Sequence, residues 1–211
     1  MKNINILSIL VSKEISQKKS KYLLFLFVFF SGLIIGTICS IMTGSTEQIQ
    51  DYVNTFLSSY SLHGTEKNHV FFLSILNYGK FLFFLWVSGW YLWLFPLCFL
   101  QVFSKGFRIG FSIASFVHCY AFKGVLFSLI TLFPQNFIFL PTMLFFAVYQ
   151  THFLSERKLL LSGKNNTESK RQCYQKNILF LALFVLIILI CASLEGYFIP
   201  SLLQLFSKLY Q

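Results

Sequence analysis

Acidic residues are scarce in this chain. Its 211 residues hold only seven Asp and Glu, and Asp51 is the single aspartate. An aspartyl intramembrane protease needs two buried acids, and a carboxylate relay across a membrane needs several. Neither can be assembled from this inventory. No H-E-x-x-H is present, which removes the zinc-protease helix, and no P-loop is present, which removes ATP hydrolysis by the chain itself. Five cysteines (Cys39, Cys98, Cys119, Cys173 and Cys191) form no C-x-x-C pair. Four of them fall in apolar runs, so they read as small buried hydrophobes and not as metal ligands. A Ser–His nucleophile lacks its geometry. Ser112 and His118 are six residues apart, on different faces of one helix, and His152 belongs at a membrane edge. No internal repeat of the transporter kind is visible. These absences leave no catalytic residues, metal ligands or cofactor site to nominate.

Apolar residues are what the chain has in excess. They make up 56% of it, 28 residues are Phe, charged residues are only 11%, and mean hydropathy is +0.68. A soluble domain carries about 25% charged residues, and one of this size leaves roughly a third of its surface wet. So much apolar side chain needs lipid as its solvent. The net charge of +10 then belongs to cytoplasmic loops and not to a nucleic-acid partner.

About 20 residues of helix cross the hydrocarbon core. The apolar runs predict spans at 22–42, 81–103, 109–122, 125–149 and 178–199. Run 22–42 is too long for a signal peptide, and run 109–122 is short for a crossing of its own, so a broken pair with 125–149 is the alternative. Around the bundle 22–199 lie a basic leader at 1–21, an outer loop at 43–80, a basic cytoplasmic loop at 151–177 and a tail at 200–211. With the N-terminus inside, only Lys67, Lys80, Lys123 and Lys208 of the 17 Lys and Arg fall outside. That asymmetry predicts N-in and C-out. The fold class is an all-α polytopic membrane helix bundle of about five transmembrane helices.

Two flanking stretches have helical periodicity. Asn3–Ile15 spaces Ile4, Leu7, Val11 and Ile15 for an interfacial helix on the inner leaflet. In the outer stretch 45–60, Ser45 and Gln48 have the capping-box spacing. Ile49, Tyr52, Val53, Phe56, Leu57 and Tyr60 then fall on one face. This amphipathic outer helix either packs on the chain's own spans or serves as an outer docking element.

Polar punctuation inside the apolar runs supplies the other candidates. Pro134, Gln135 and Asn136, with Pro141, interrupt the fourth run; Glu195 and Gly196, with Pro200, interrupt the last. Proline frees a backbone carbonyl, which in lipid must be satisfied internally. Gln135 and Asn136 can do this, and a contact between Glu195 and Gln135 or Asn136 is expected. Small residues for close helix packing are Ser31, Gly32 and Gly36, and Ser88 with Gly89.

The stretch "SLITLFPQNFIFLP" at 128–141, the turn "KGFRIGF" at 105–111 and "ASLEGYFIP" at 192–200 resemble the stage II sporulation protein M family of endospore-forming bacteria. The likeness is most evident over Lys80–Tyr149, and the five-span pattern extends it to essentially the whole chain. It implies a non-enzymatic membrane scaffold in sporulation, acting in engulfment, when the mother-cell membrane migrates around the forespore. Such a scaffold recruits stage II sporulation proteins P and D, the peptidoglycan hydrolases that thin the septum. The implied location is the cell membrane, at the sporulation septum and the engulfing membrane. Membrane lipid is the other partner, self-association as a homo-oligomer is compatible, and no nucleic acid is involved. The competing readings are a permease-like subunit of a membrane exporter and an intramembrane enzyme, the latter nearly emptied by the missing residues.

The orientation has a direct test. Single cysteines placed within 155–176 of a cysteine-free variant should react with an impermeant maleimide only after the cytoplasmic side is opened. Labelling of intact cells would reverse the topology.

Overall fold

The computed structural model describes residues 19–42, 51, 67–162 and 167–199. Among them the elements are helical throughout. Helix α1 is Lys19–Met42 and α2 is Lys67–Ser88. A 3-10 turn, Leu92–Leu94, leads into the helical run Pro96–Ser162. That run is two helices, α3 (96–120) and α4 (122–162), broken at Ala121. Helix α5 is Thr167–Ser193, continued by one π turn, Leu194–Phe198. Five segments are long and apolar enough to cross a membrane: Lys19–Met42, Val70–Ser88, Leu92–Phe122, Gly124–Lys158 and Lys170–Phe198.

The pairing of α1 with α3 is set by glycine. Gly32 and Gly36 on α1 and Gly106 and Gly110 on α3 repeat the same four-residue spacing, and they meet. A Cβ on Gly32 would run into the Phe103 carbonyl oxygen, and one on Gly36 into that of Phe107. From the other side, Gly106 abuts the Phe29 carbonyl and Gly110 that of Leu33. Two small-xxx-small stripes thus let the backbones touch, the packing that replaces hydrophobic drive between helices in lipid. Ser40 and Ser115 extend the seam with a 2.9 Å hydrogen bond, and the Thr37 hydroxyl reaches the Gly110 carbonyl at 3.4 Å. Residue numbers rise together along both helices, so α1 and α3 run parallel.

Chain reversal between α3 and α4 is abrupt. Ala121 takes φ 47° and ψ −125°, a left-handed conformation that costs an L-residue energy. Gly124 follows, where a Cβ would strike the Phe116 carbonyl. The two helices then lie antiparallel, with 109–113 facing 128–132.

At the other end, α2 stops at Ser88, and Gly89 turns the chain against the buried Gln150 side chain. Pro96 opens α3, where its missing N–H costs nothing. Arg157 of α4 donates to the Trp90 carbonyl and lies 5.2 Å from the Trp90 ring. Trp93, 94% exposed, stands at the level of the α1 lysines, as interfacial tryptophans do. Phe146, Phe153, Leu85, Met143 and Val102 fill the core between the helices.

Several boundaries differ from the sequence reading. The span at 81–103 straddles the 89–95 turn, because its apolar residues continue through the reversal. The second crossing instead ends at Ser88 and begins in what was read as outer loop 43–80. Run 109–122 is the second half of a full crossing, so 104–108 is mid-helix and not an inner loop. The loop at 151–177 is largely helical, since α4 continues to Ser162 and α5 begins at Thr167. The leader up to residue 18, the helix expected at 45–60 with Ile49 to Tyr60, and the tail from Pro200 lie outside the described residues, Asp51 excepted, while residues 19–21 of the leader open α1.

The seam gives an expected outcome. Gly36→Ile or Gly110→Ile should destabilise the bundle by about 2 kcal/mol or more in detergent unfolding, since backbone must move to admit the side chain. Gly79→Ala, with nothing within 4 Å of its Cβ, should be neutral or slightly stabilising.

Candidate functional site

Four helices bring polar side chains to one place within the membrane. A cleft of about 140 Å³ is lined by Asn77 and Tyr78 from α2, Lys105, Arg108 and Ser112 from α3, Gln135 and Asn136 from α4, and Glu195 from the π turn. Its apolar walls are Phe81, Ile109, Leu132 and Phe139. Lys105 and Arg108 are one turn apart near the middle of the crossing Leu92–Phe122. The seam explains why they point here: Gly106 and Gly110 turn the opposite side of α3 to α1.

The groups are tied to one another. The Tyr78 hydroxyl donates to Gln135 Oε1 at 3.1 Å and stands within hydrogen-bonding reach of the Glu195 carboxylate. Lys105 Nζ lies 4.8 Å from the Phe139 ring centroid and 5.3 Å from that of Tyr78, with the Glu195 charge acting on it. Two aromatic faces thus cover this ammonium group, and the Glu195 side chain lines the same cleft. The Cys191 thiol reaches the Gln135 carbonyl at 3.9 Å, linking α5 to the proline-bearing stretch of α4.

Pro134 and Pro141 both sit inside α4 without ending it. Side chains next to them bond back to the helix: Asn136 Nδ2 donates to the Leu132 carbonyl at 2.7 Å, Gln135 Nε2 to that of Thr131, and the Thr142 hydroxyl to that of Ile138. Gln135 therefore uses both ends of its amide. Asn136 Oδ1 is buried with no hydrogen-bond partner.

Glu195 owes its position to the π turn, whose extra residue re-aims the side chain, a device common at functional sites. Gly196 is buried against Phe71, where a Cβ would come within 2.8 Å of the Phe71 Cβ. Tyr197 ties down the N-terminal end of α2 through a 2.9 Å hydrogen bond from its hydroxyl to Asn68 Oδ1.

The structure therefore gathers Gln135, Asn136 and Glu195 around one cleft, with Tyr78 between Gln135 and Glu195. Pro134, Pro141 and Gly196 shape the backbone around it. Sequence reasoning missed Lys105, Arg108 and Tyr78, and with them the charge inside the bundle. The signal was available in Gly106-x-x-x-Gly110, whose match to Gly32-x-x-x-Gly36 marks 105–110 as membrane helix. Among the described residues no three His, Cys, Asp or Glu side chains gather as a metal site.

Compared with known proteins, the chain matches one family model, Stage II sporulation protein M, over residues 25–200. No curated protein and no solved structure matches it. The matched range includes all of the cleft.

Removing the carboxylate should be felt throughout this cluster. Glu195→Ala removes the acid from the cleft that holds Lys105 and should lower stability in detergent unfolding by up to about 2.5–3.5 kcal/mol, the cost of a lone cation at a helix centre. Tyr78→Phe should cost about 0.6 kcal/mol, the average for an interhelical hydrogen bond in a bilayer. Wild-type stability of Glu195→Ala would dissolve the proposed coupling.

Proposed function

The chain belongs to the stage II sporulation protein M family, and on that premise we propose that this multi-pass sporulation membrane protein is a non-enzymatic anchor. In this reading it recruits peptidoglycan-degrading proteins, stage II sporulation proteins P and D, to the septum and the engulfing membrane. The observation that carries the reading is the family match across every membrane span. The geometry supports it in a second way. The bundle's polar chemistry is invested in mutual pairing among helices, which makes a rigid platform, and the hydrolytic chemistry is left to the partners.

Orientation in this reading is N-in and C-out. Among the described residues, Lys19, Lys21, Arg157, Lys158, Lys170, Arg171 and Lys176 fall at one end of the bundle, and the sequence adds further Lys before and between them. Placing Lys105 and Arg108 within a span removes them from the inner tally without reversing the bias. The outer segment 43–66 and the C-terminal tail then face the partners' extracytoplasmic domains.

One observation favours a second reading, a permease-like subunit of an exporter. Charge does lie inside the bundle, at the cleft lined by Lys105, Arg108 and Glu195. A carrier would need that polarity to continue across the membrane. On the inner side of the cleft, however, Met143, Phe146 and Leu85 are fully buried and close the bundle with apolar packing.

Deletion of the protein from sporulating cells should abolish septal thinning, and the two hydrolases should co-purify with the tagged chain from wild-type cells. Normal engulfment in the deletion strain would remove the anchoring role. Solute flux through vesicles holding the purified chain would favour transport.

A further inference from the structure

The cleft carries two cations and one carboxylate, and they are not equally served. Lys105 is covered by the Tyr78 and Phe139 rings and feels Glu195. Arg108 is exposed on the outside of the bundle, near the middle of a 31-residue crossing. The hydrogen bond its guanidinium makes is to its own helix, from Nε to the Ser104 carbonyl at 3.4 Å. A cation held at that depth costs about 2.5–3.5 kcal/mol on insertion scales. Its planar donor fork suits a carboxylate.

Beside Arg108 runs an apolar groove between α3 and α4, of about 600 Å³. It shares Ile109, Leu132 and Asn136 with the cleft, so the charged and apolar surfaces are continuous. Leu129, Phe133 and Phe137, one turn apart on α4, are each more than half exposed along it. From Leu129 to Pro141 it follows about 18 Å of helix, over half of a ~30 Å hydrocarbon core. Its width between two helices and its length along them suit a third helix.

We infer that this groove receives a transmembrane helix of a different protein, whose carboxylate pairs with Arg108 at mid-depth. A second copy of this chain cannot supply that group from its spans. Of its seven acids, Glu156 and Glu195 fall within the five crossings, each within three residues of a crossing's end and neither at mid-depth, and Glu195 already lines the cleft. A lipid phosphate belongs to the interface, about half a hydrocarbon thickness away. The inference rests on the anchoring reading for there being a membrane-embedded partner at all, and it gives that reading its contact chemistry.

The test uses a synthetic partner, so its failure leaves the deletion phenotype untouched. The full-length chain is placed in phosphatidylcholine vesicles with a Leu/Ala single-span peptide bearing one Glu at its centre, and with the same peptide bearing Gln. Energy transfer between labels reports association. The Glu peptide should bind about ten-fold more tightly, the scale of one interhelical polar contact in lipid. Arg108→Gln should abolish that preference and Arg108→Lys should keep most of it. Because Arg108 is exposed, neither variant should impair folding, which the unfolding midpoint checks. Equal binding of the two peptides overturns the inference, as does a preference that survives Arg108→Gln. Loss of the preference when phosphatidylglycerol replaces part of the phosphatidylcholine also overturns it, since the guanidinium then takes lipid phosphate.

Discussion

An ion in hydrocarbon must be answered by the protein that put it there. Lys105 imposes that constraint on this bundle, and three other elements respond to it. Tyr78 comes from α2, Phe139 and Gln135 from α4, and Glu195 from the π turn after α5. No two of these elements are fixed by the cluster alone; each is also held by its own packing. The glycine seam sets the rotation of α3, so that one side of the helix is backbone contact and the other carries the cations. Had α3 been rotated to lay Lys105 toward lipid, its ammonium group would have been desolvated without partners.

The prolines of α4 and the π turn of α5 serve the same end. A regular α-helix repeats its side chains every 3.6 residues, and a five-residue π turn departs from that register to aim Glu195 inward. Around Pro134 the amides of Gln135 and Asn136 bond back onto the helix while Gln135 also accepts from Tyr78. Local irregularity is thus converted into interhelical hydrogen bonding, which in lipid is one of the few forces available to orient helices. A platform built this way presents a fixed surface. That suits a protein whose proposed task is to hold others in place.

Much of this was legible in the residues. Composition alone establishes a membrane protein, and the apolar runs give five helices. The polar interruptions at Gln135, Asn136 and Glu195 mark three of the side chains that meet. The boundaries of the second and third spans were not legible, because hydropathy records how apolar a window is and not where the backbone turns. The stretch 81–103 stays apolar through Gly89 and Pro96, so a reversal hides inside one run. Lys105 and Arg108 produce the opposite error, since a charge pair in a window resembles a loop whether water or protein surrounds it. Only the paired glycine spacings at 32/36 and 106/110 distinguish these cases, and their meaning depends on two helices being adjacent, a fact of tertiary structure.

The most direct measurement is the depth of α3 in the bilayer. Spin labels at Leu100, Arg108 and Ile113, all on exposed faces, report depth through the ratio of collisions with oxygen to collisions with an aqueous nickel complex. A crossing centred near Arg108 predicts the greatest depth at that position, with shallower values on both sides. Labels that are most water-accessible at 108 and deeper at 100 and 113 would place the cations in a loop and contradict the account.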